Sequence, residues 1–94
     1  MLPQLQYFHF GDNGLYYGNY GGLDYSAGVE DGTAQVPADP PPVDAYDQLF
    51  YEHDLALQQA SSPAERLEAH IEVVEGVYGL FSQANGASAA DWHI

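Results

Sequence analysis

The chain contains no cysteine and no lysine, and Arg66 is its one basic side chain against 14 acids, giving a formal net charge of −13 over 94 residues. Each absence removes a class. Without cysteine there is no disulfide framework, so stability has to come from packing or from something bound. Proteins that grip nucleic acid displace counterions from phosphates with Lys and Arg, and a single arginine cannot do that, so no nucleic-acid partner is expected. No apolar run approaches the roughly 20 residues of a membrane span. Residues 1–10 lack a basic start and are interrupted by Pro3, Gln4, Gln6 and His9, so they do not read as a signal peptide. Leu, Ile, Val and Phe together number 21. That is little above the roughly one-fifth level below which strongly charged chains stay unfolded, so one small domain with a thin core is expected. A bound cation is the obvious source of the missing stability.

Seven of the ten glycines and five of the eight tyrosines precede residue 33, whereas residues 43–83 carry a helical period. The first third therefore reads as loop and the rest as helix, a mainly all-α fold in one domain spanning 1–94. Its expected parts are an N-terminal segment (1–16), a glycine- and tyrosine-rich loop (17–28), a proline-rich connector (29–42), helix A (43–60), helix B (62–83) and a tail (84–94). In helix A, Tyr46, Leu49, Phe50, His53, Ala56, Leu57 and Ala60 recur at three- and four-residue intervals and define one buried stripe. Asp44 can cap its start, with Asp47 favourable in the first turn. Ser62, Pro63 and Glu65 then form a capping-box start for helix B, whose Leu67, Ile71, Val74, Tyr78 and Phe81 share a face. So short a turn predicts an antiparallel pair, stripe against stripe. Gly76 and Gly79 inside helix B each cost about 1 kcal/mol relative to Ala, which close helix approach would offset.

On a wheel of about 100° per residue His53 lies near the centre of the helix A stripe and Asp54 at its edge, close to Asp47. A lone histidine on an apolar face is ordinarily a core residue, and two edge carboxylates are ordinarily solvated. Their setting changes that reading. Tyr17, Gly18, Tyr20, Gly22 and Gly28 in the first block, and Pro42, Val43, Asp44, Asp47, His53 and Asp54 in the second, resemble the secreted phospholipase A2 superfamily. The second block matches the family's spacing Pro-Val-Asp-x-x-Asp-x5-His-Asp in register.

That resemblance implies a fold of two antiparallel helices carrying the His-Asp pair beside an N-terminal calcium loop, and it implies roles. Calcium takes six to eight oxygens at about 2.3–2.6 Å, and a glycine-rich loop can turn several carbonyls toward one point. The implied ligands are the carbonyls of Tyr20, Gly22 and Asp24 and the side chain of Asp54. His53 would be the general base that activates water against the sn-2 ester of a glycerophospholipid, with the Gly22 N–H and calcium holding the oxyanion. The family supports its histidine with an aspartate on the partner helix, and helix B has none. Glu75 borders the expected stripe and stands first for that role, with Glu68 and Glu72 behind it, while His70 reads as a structural residue.

The departures are specific. Leu49, Phe50 and Ala56 stand where the family has cysteines, so apolar packing must replace the crosslinks. Leu57 replaces a tyrosine that binds the supporting acid, leaving Tyr46, Tyr51 or Tyr78 to substitute. Asp24 and Tyr25 replace loop glycines, and aspartate is the milder change because it tolerates left-handed backbone. Leu2, Leu5, Phe8 and Phe10 are either core filler, the preferred reading, or an apolar lip for acyl chains; Gly11-Asp12-Asn13-Gly14 is a plain turn.

The expected activity is thus calcium-dependent phospholipid hydrolysis at a membrane surface or micelle, and the competing reading is a non-catalytic calcium-binding or membrane-contact module of the same fold. The lysine-free, cysteine-free acidic composition resembles segments of large bacterial proteins exported unfolded and folded outside by calcium. It points to an extracellular location within a longer secreted polypeptide. Head-group preference and oligomeric state are not legible.

Overall fold

A computed structural model describes residues 2–84. The expected tail, with its Asn85–Ser88 stop and Trp92, lies outside the described residues. After a single 3-10 turn at Leu5–Tyr7, the elements are β1 (Phe8–Gly11), β2 (Gly14–Tyr17), β3 (Tyr25–Ser26), β4 (Val29–Glu30), α1 (Ala45–Gln59) and α2 (Pro63–Ala84). Strands β1 and β2 form one antiparallel hairpin and β3 and β4 a second. The expectation of a mainly all-α chain is therefore wrong: the fold is mixed, two helices with two small sheets. The reason is local. Asp12 and Asn13 form a two-residue connection between runs rich in aromatic residues, which is hairpin chemistry rather than an isolated turn. Ala27 and Gly28 form the other two-residue connection, with φ of 54° and 78°, the double left-handed geometry that matches strand twist. The proline-rich connector consequently begins after Glu30 rather than at Val29.

Tyrosine, rather than aliphatic residues, builds the core. Tyr16, Tyr17, Tyr20, Tyr25, Tyr46 and Tyr51 are all buried. A buried hydroxyl has to be hydrogen-bonded. Tyr20 donates to the Pro40 carbonyl (2.6 Å) and Tyr25 to the Gly18 carbonyl (2.7 Å). Tyr16, Tyr17 and Tyr51 donate to Glu30, Asp44 and the Gln35 carbonyl. The last bond places Tyr51 on the connector, not beside a partner of His53. Gln58 grips the connector from α1 by accepting from Ala34 N (2.7 Å) and donating to Ala34 O (3.2 Å). Leu5 and Phe10, at 87% and 83% exposure, with Leu2 also exposed, are not the core filler expected of the N-terminal segment.

The helices start where their caps dictate. Asp44 Oδ1 accepts from Asp47 N (2.9 Å), and Ser62 Oγ accepts from Glu65 N (3.2 Å). The reciprocal half of the capping box reaches one residue further back, because Glu65 Oε1 accepts from Ser61 N (2.9 Å). The packed face of α2 is not the expected one. Phe81 of the expected face does pack, its ring 5.7 Å from that of Tyr46, but Leu67, Ile71, Val74 and Tyr78 are 48–60% exposed, whereas Ala69 is buried and Gly76 sits against Leu49. Those two inward residues lie roughly opposite Leu67 on the wheel, about 180–200° away. A Cβ on Gly76 would stand 2.7 Å from a Leu49 methyl, so the close approach that offsets this glycine selects the small-residue side of α2. No such contact surrounds Gly79.

Candidate active site

The glycine-rich segment is fixed to α1 by one carboxylate. Asp47 is fully buried and accepts three backbone N–H groups, from Asn19 (3.0 Å), Tyr20 (2.9 Å) and Val43 (3.0 Å). The loop can come this close because Gly18 has no side chain: a Cβ there would lie 2.6 Å from the Asp47 carboxylate, and its φ of 58° suits glycine. In the sequence Asp47 stands in the first helical turn and in the spaced motif with His53 and Asp54, but its role in holding the loop depends on backbone N–H groups far away in the chain.

Nearly two turns further along α1, His53 and Asp54 face a cleft of about 510 Å³. Its opposite wall is the loop from Tyr20 and Gly22 through Asp24 to Ser26. Tyr20, Gly22, Asp24, His53 and Asp54 are thus brought to one cavity. Glu75 is not: it is exposed on α2, outside the cleft. The turn of α2 that brings Ala69 and Gly76 inward carries Glu75 outward. What meets the Nε2 of His53 is Nδ1 of His70, at 2.9 Å, with ring centroids 5.0 Å apart. His70 also lines the cleft, so the residue read as structural is the one in contact. Glu68 lines a separate acidic depression, and Glu72 borders both that depression and a small cavity of about 50 Å³ whose wall includes His53, without a hydrogen bond to the imidazole.

The two nitrogens of His53 are differently placed. Nε2 meets His70, and Nδ1 looks toward Asp54 Oδ1 at 3.9 Å, beyond hydrogen-bonding distance. Burial, with the neighbouring His70, holds the His53 imidazole below its ordinary pKa and keeps it unprotonated near neutral pH. Asp54 Oδ2 accepts from Ser26 Oγ (2.8 Å). Burial pushes the Asp54 carboxyl up to about 7 against the opposing Ser26 hydrogen bond, with Asp47 adding to the rise. No lysine or arginine pairs with it among the described residues.

A half-buried carboxylate without a cationic neighbour is the chemistry of a cation ligand. The main chain opposite fits that chemistry. Tyr20 is 1% exposed, yet its carbonyl accepts no hydrogen bond among the described residues, and neither does that of Gly22. The Asp24 carbonyl accepts from Asp31 N at 2.6 Å and keeps a second lone pair. Asp24 itself has a φ of 51°, the left-handed backbone expected of it. No three His, Asp or Glu side chains of the described residues converge to hold a metal. Coordination here accordingly requires main-chain oxygens beside Asp54, a hard oxygen set suited to calcium rather than to a transition metal. Neither a family model, nor a curated protein, nor a solved structure matches this chain.

Proposed function

We propose that the chain is a calcium-dependent hydrolase of the sn-2 ester of glycerophospholipids, acting on lipid aggregates, as its resemblance to the secreted phospholipase A2 superfamily implies. One observation carries the reading: the loop of Tyr20 and Gly22, the Asp54 carboxylate and the His53 imidazole line one cleft. His53 takes a proton at Nδ1 from the water that attacks the ester carbonyl, and returns it to the departing glycerol oxygen as the C–O bond breaks. The products are a fatty acid and a lysophospholipid, with no covalent intermediate. Gly22 lines the same cleft and its N–H donates to no acceptor among the described residues, so it would be the donor that stabilises the oxyanion. Asp54 and the carbonyls of Tyr20, Gly22 and Asp24 are the groups that would hold calcium, which when bound supplies positive charge to the developing oxyanion.

The test is release of fatty acid from phosphatidylcholine vesicles. Wild type should hydrolyse in calcium and stop in chelator, and His53→Gln should lose at least about 100-fold in rate while still binding calcium. Equal inertness of wild type and His53→Gln, with calcium binding intact, would leave the competing non-catalytic calcium module. The observation favouring that second reading is the lack of a carboxylate against Nε2 of His53.

A further inference from the structure

We infer that His70 is the positioning residue of this site, a neutral imidazole that fixes the ring and the tautomer of His53 where a carboxylate would otherwise stand. The inference rests on the proposed hydrolase for its catalytic meaning, but its geometry does not. Three observations converge. Nε2 of His53 and Nδ1 of His70 are 2.9 Å apart, within the range of a full hydrogen bond. Nδ1 of His53 has no hydrogen-bond partner among the described residues, its nearest acid oxygen being 3.9 Å away. Both rings line the cleft that the loop closes.

The proton inventory follows from the donor and acceptor capacities of imidazole. If Nδ1 of His53 is to accept a proton, its lone pair has to be there, so the ring hydrogen is on Nε2. That hydrogen points at His70 Nδ1, which must then be the acceptor and carry its own hydrogen on Nε2, on the exposed side of α2. The bond survives when His53 becomes imidazolium, because Nε2–H remains a donor and a stronger one. A neutral acceptor differs from a carboxylate in one respect: it orients the ring without adding negative charge to a cleft that already holds Asp54. In a chain of net charge −13 this avoids a further buried anion.

The position of His70 is set by the helix hairpin. Tyr46 meets Phe81, Leu49 meets Gly76 and His53 meets His70, so each step back toward the turn on α1 is matched by one on α2. Glu75 belongs to the level of Leu49, about one turn from the imidazole, and is exposed there.

The test uses His70→Ala and His70→Asn in the full chain, both tolerated on an exposed helix face, with circular dichroism to verify folding. Imidazole 15N shifts of His53 read the tautomer without any need for activity, and hydrolysis of phosphatidylcholine vesicles reads its consequence. Wild type should show one His53 tautomer, protonated on Nε2. His70→Ala should show a mixture and lose kcat by about tenfold with KM within twofold. His70→Asn, whose side-chain oxygen falls near the former Nδ1, should restore both. An unchanged His53 tautomer and unchanged kcat in His70→Ala would overturn the assignment. If wild type shows the single tautomer, His70→Ala mixes it, and wild type hydrolyses no phospholipid, the hydrolase reading fails and the positioning role of His70 stands.

Discussion

Two aspartates seven residues apart on α1 have opposite tasks, and the difference lies in what their oxygens meet. Asp47 accepts three backbone N–H groups and Asp54 accepts one hydroxyl. Removing Asp47 strands one buried and two part-buried donors at roughly 1 kcal/mol each, so Asp47→Ala should lower unfolding free energy by about 3 kcal/mol, read from urea denaturation. A loss below about 1 kcal/mol would mean that the loop is held elsewhere. For Asp54 the sign runs the other way from an ordinary ion pair. Its folded pKa, about 7, is above the 3.8 of a free aspartate, so the folded chain retains a proton that the unfolded chain releases. The stability contributed by this group is full at low pH and falls as pH rises through that window toward 7. A cation entering beside Asp54 must displace the same proton. Calcium affinity should therefore climb by up to about tenfold per pH unit below 7 and level off above it, as titration calorimetry would show. Affinity independent of pH between about 5.5 and 7 would count against Asp54 as a ligand. On a helical wheel the two acids are nearly equivalent. Their spacing to the loop was legible in sequence, but their division of labour depends on which oxygens the folded loop presents to each.

Both helices were legible at their ends and as an antiparallel pair, but the rotation of α2 was not. Caps are chemistry between near neighbours, so Asp44, Ser62, Pro63 and Glu65 mark α1 and α2 without any tertiary knowledge. The rotation of α2 depends on its partner. This helix is apolar on two sides, and hydrophobic periodicity favoured the side with larger residues, whereas close packing selected Ala69 and Gly76. The choice of Glu75 as supporting acid inherited that rotation, and so failed with it. The hairpins were hidden for a different reason: glycine and tyrosine density read as loop, although two-residue turns between aromatic runs are strand signals. The two helix glycines test the packing directly. Gly79→Ala, with open space around the new methyl, should raise stability by about 0.5–1 kcal/mol. Gly76→Ala should gain less or lose, because its methyl meets Leu49 at 2.7 Å. Thermal melts that rank the two variants in the reverse order would refute this account of the interface.

At the scale of the whole molecule, a core of hydrogen-bonded tyrosines compensates for the scarcity of aliphatic residues. Counting Leu, Ile, Val and Phe understated the core, since six buried tyrosines carry it. A charge of −13 makes approach to an anionic bilayer unfavourable, more so at low salt where screening extends to about 30 Å. Hydrolysis should accordingly be faster on zwitterionic than on purely anionic vesicles at about 10 mM ionic strength, and the gap should narrow as salt is added; a preference for anionic vesicles at low salt would contradict it. The claim on which the function turns is that Asp54 and the loop carbonyls share one cation. Its most direct measurement is a crystal structure grown with calcium and phased on the metal's anomalous signal. The account predicts a peak about 2.3–2.6 Å from Asp54 Oδ1 and from the carbonyls of Tyr20 and Gly22. A cleft without a peak, or calcium held only by acids on the outer surface of the helices, would contradict it.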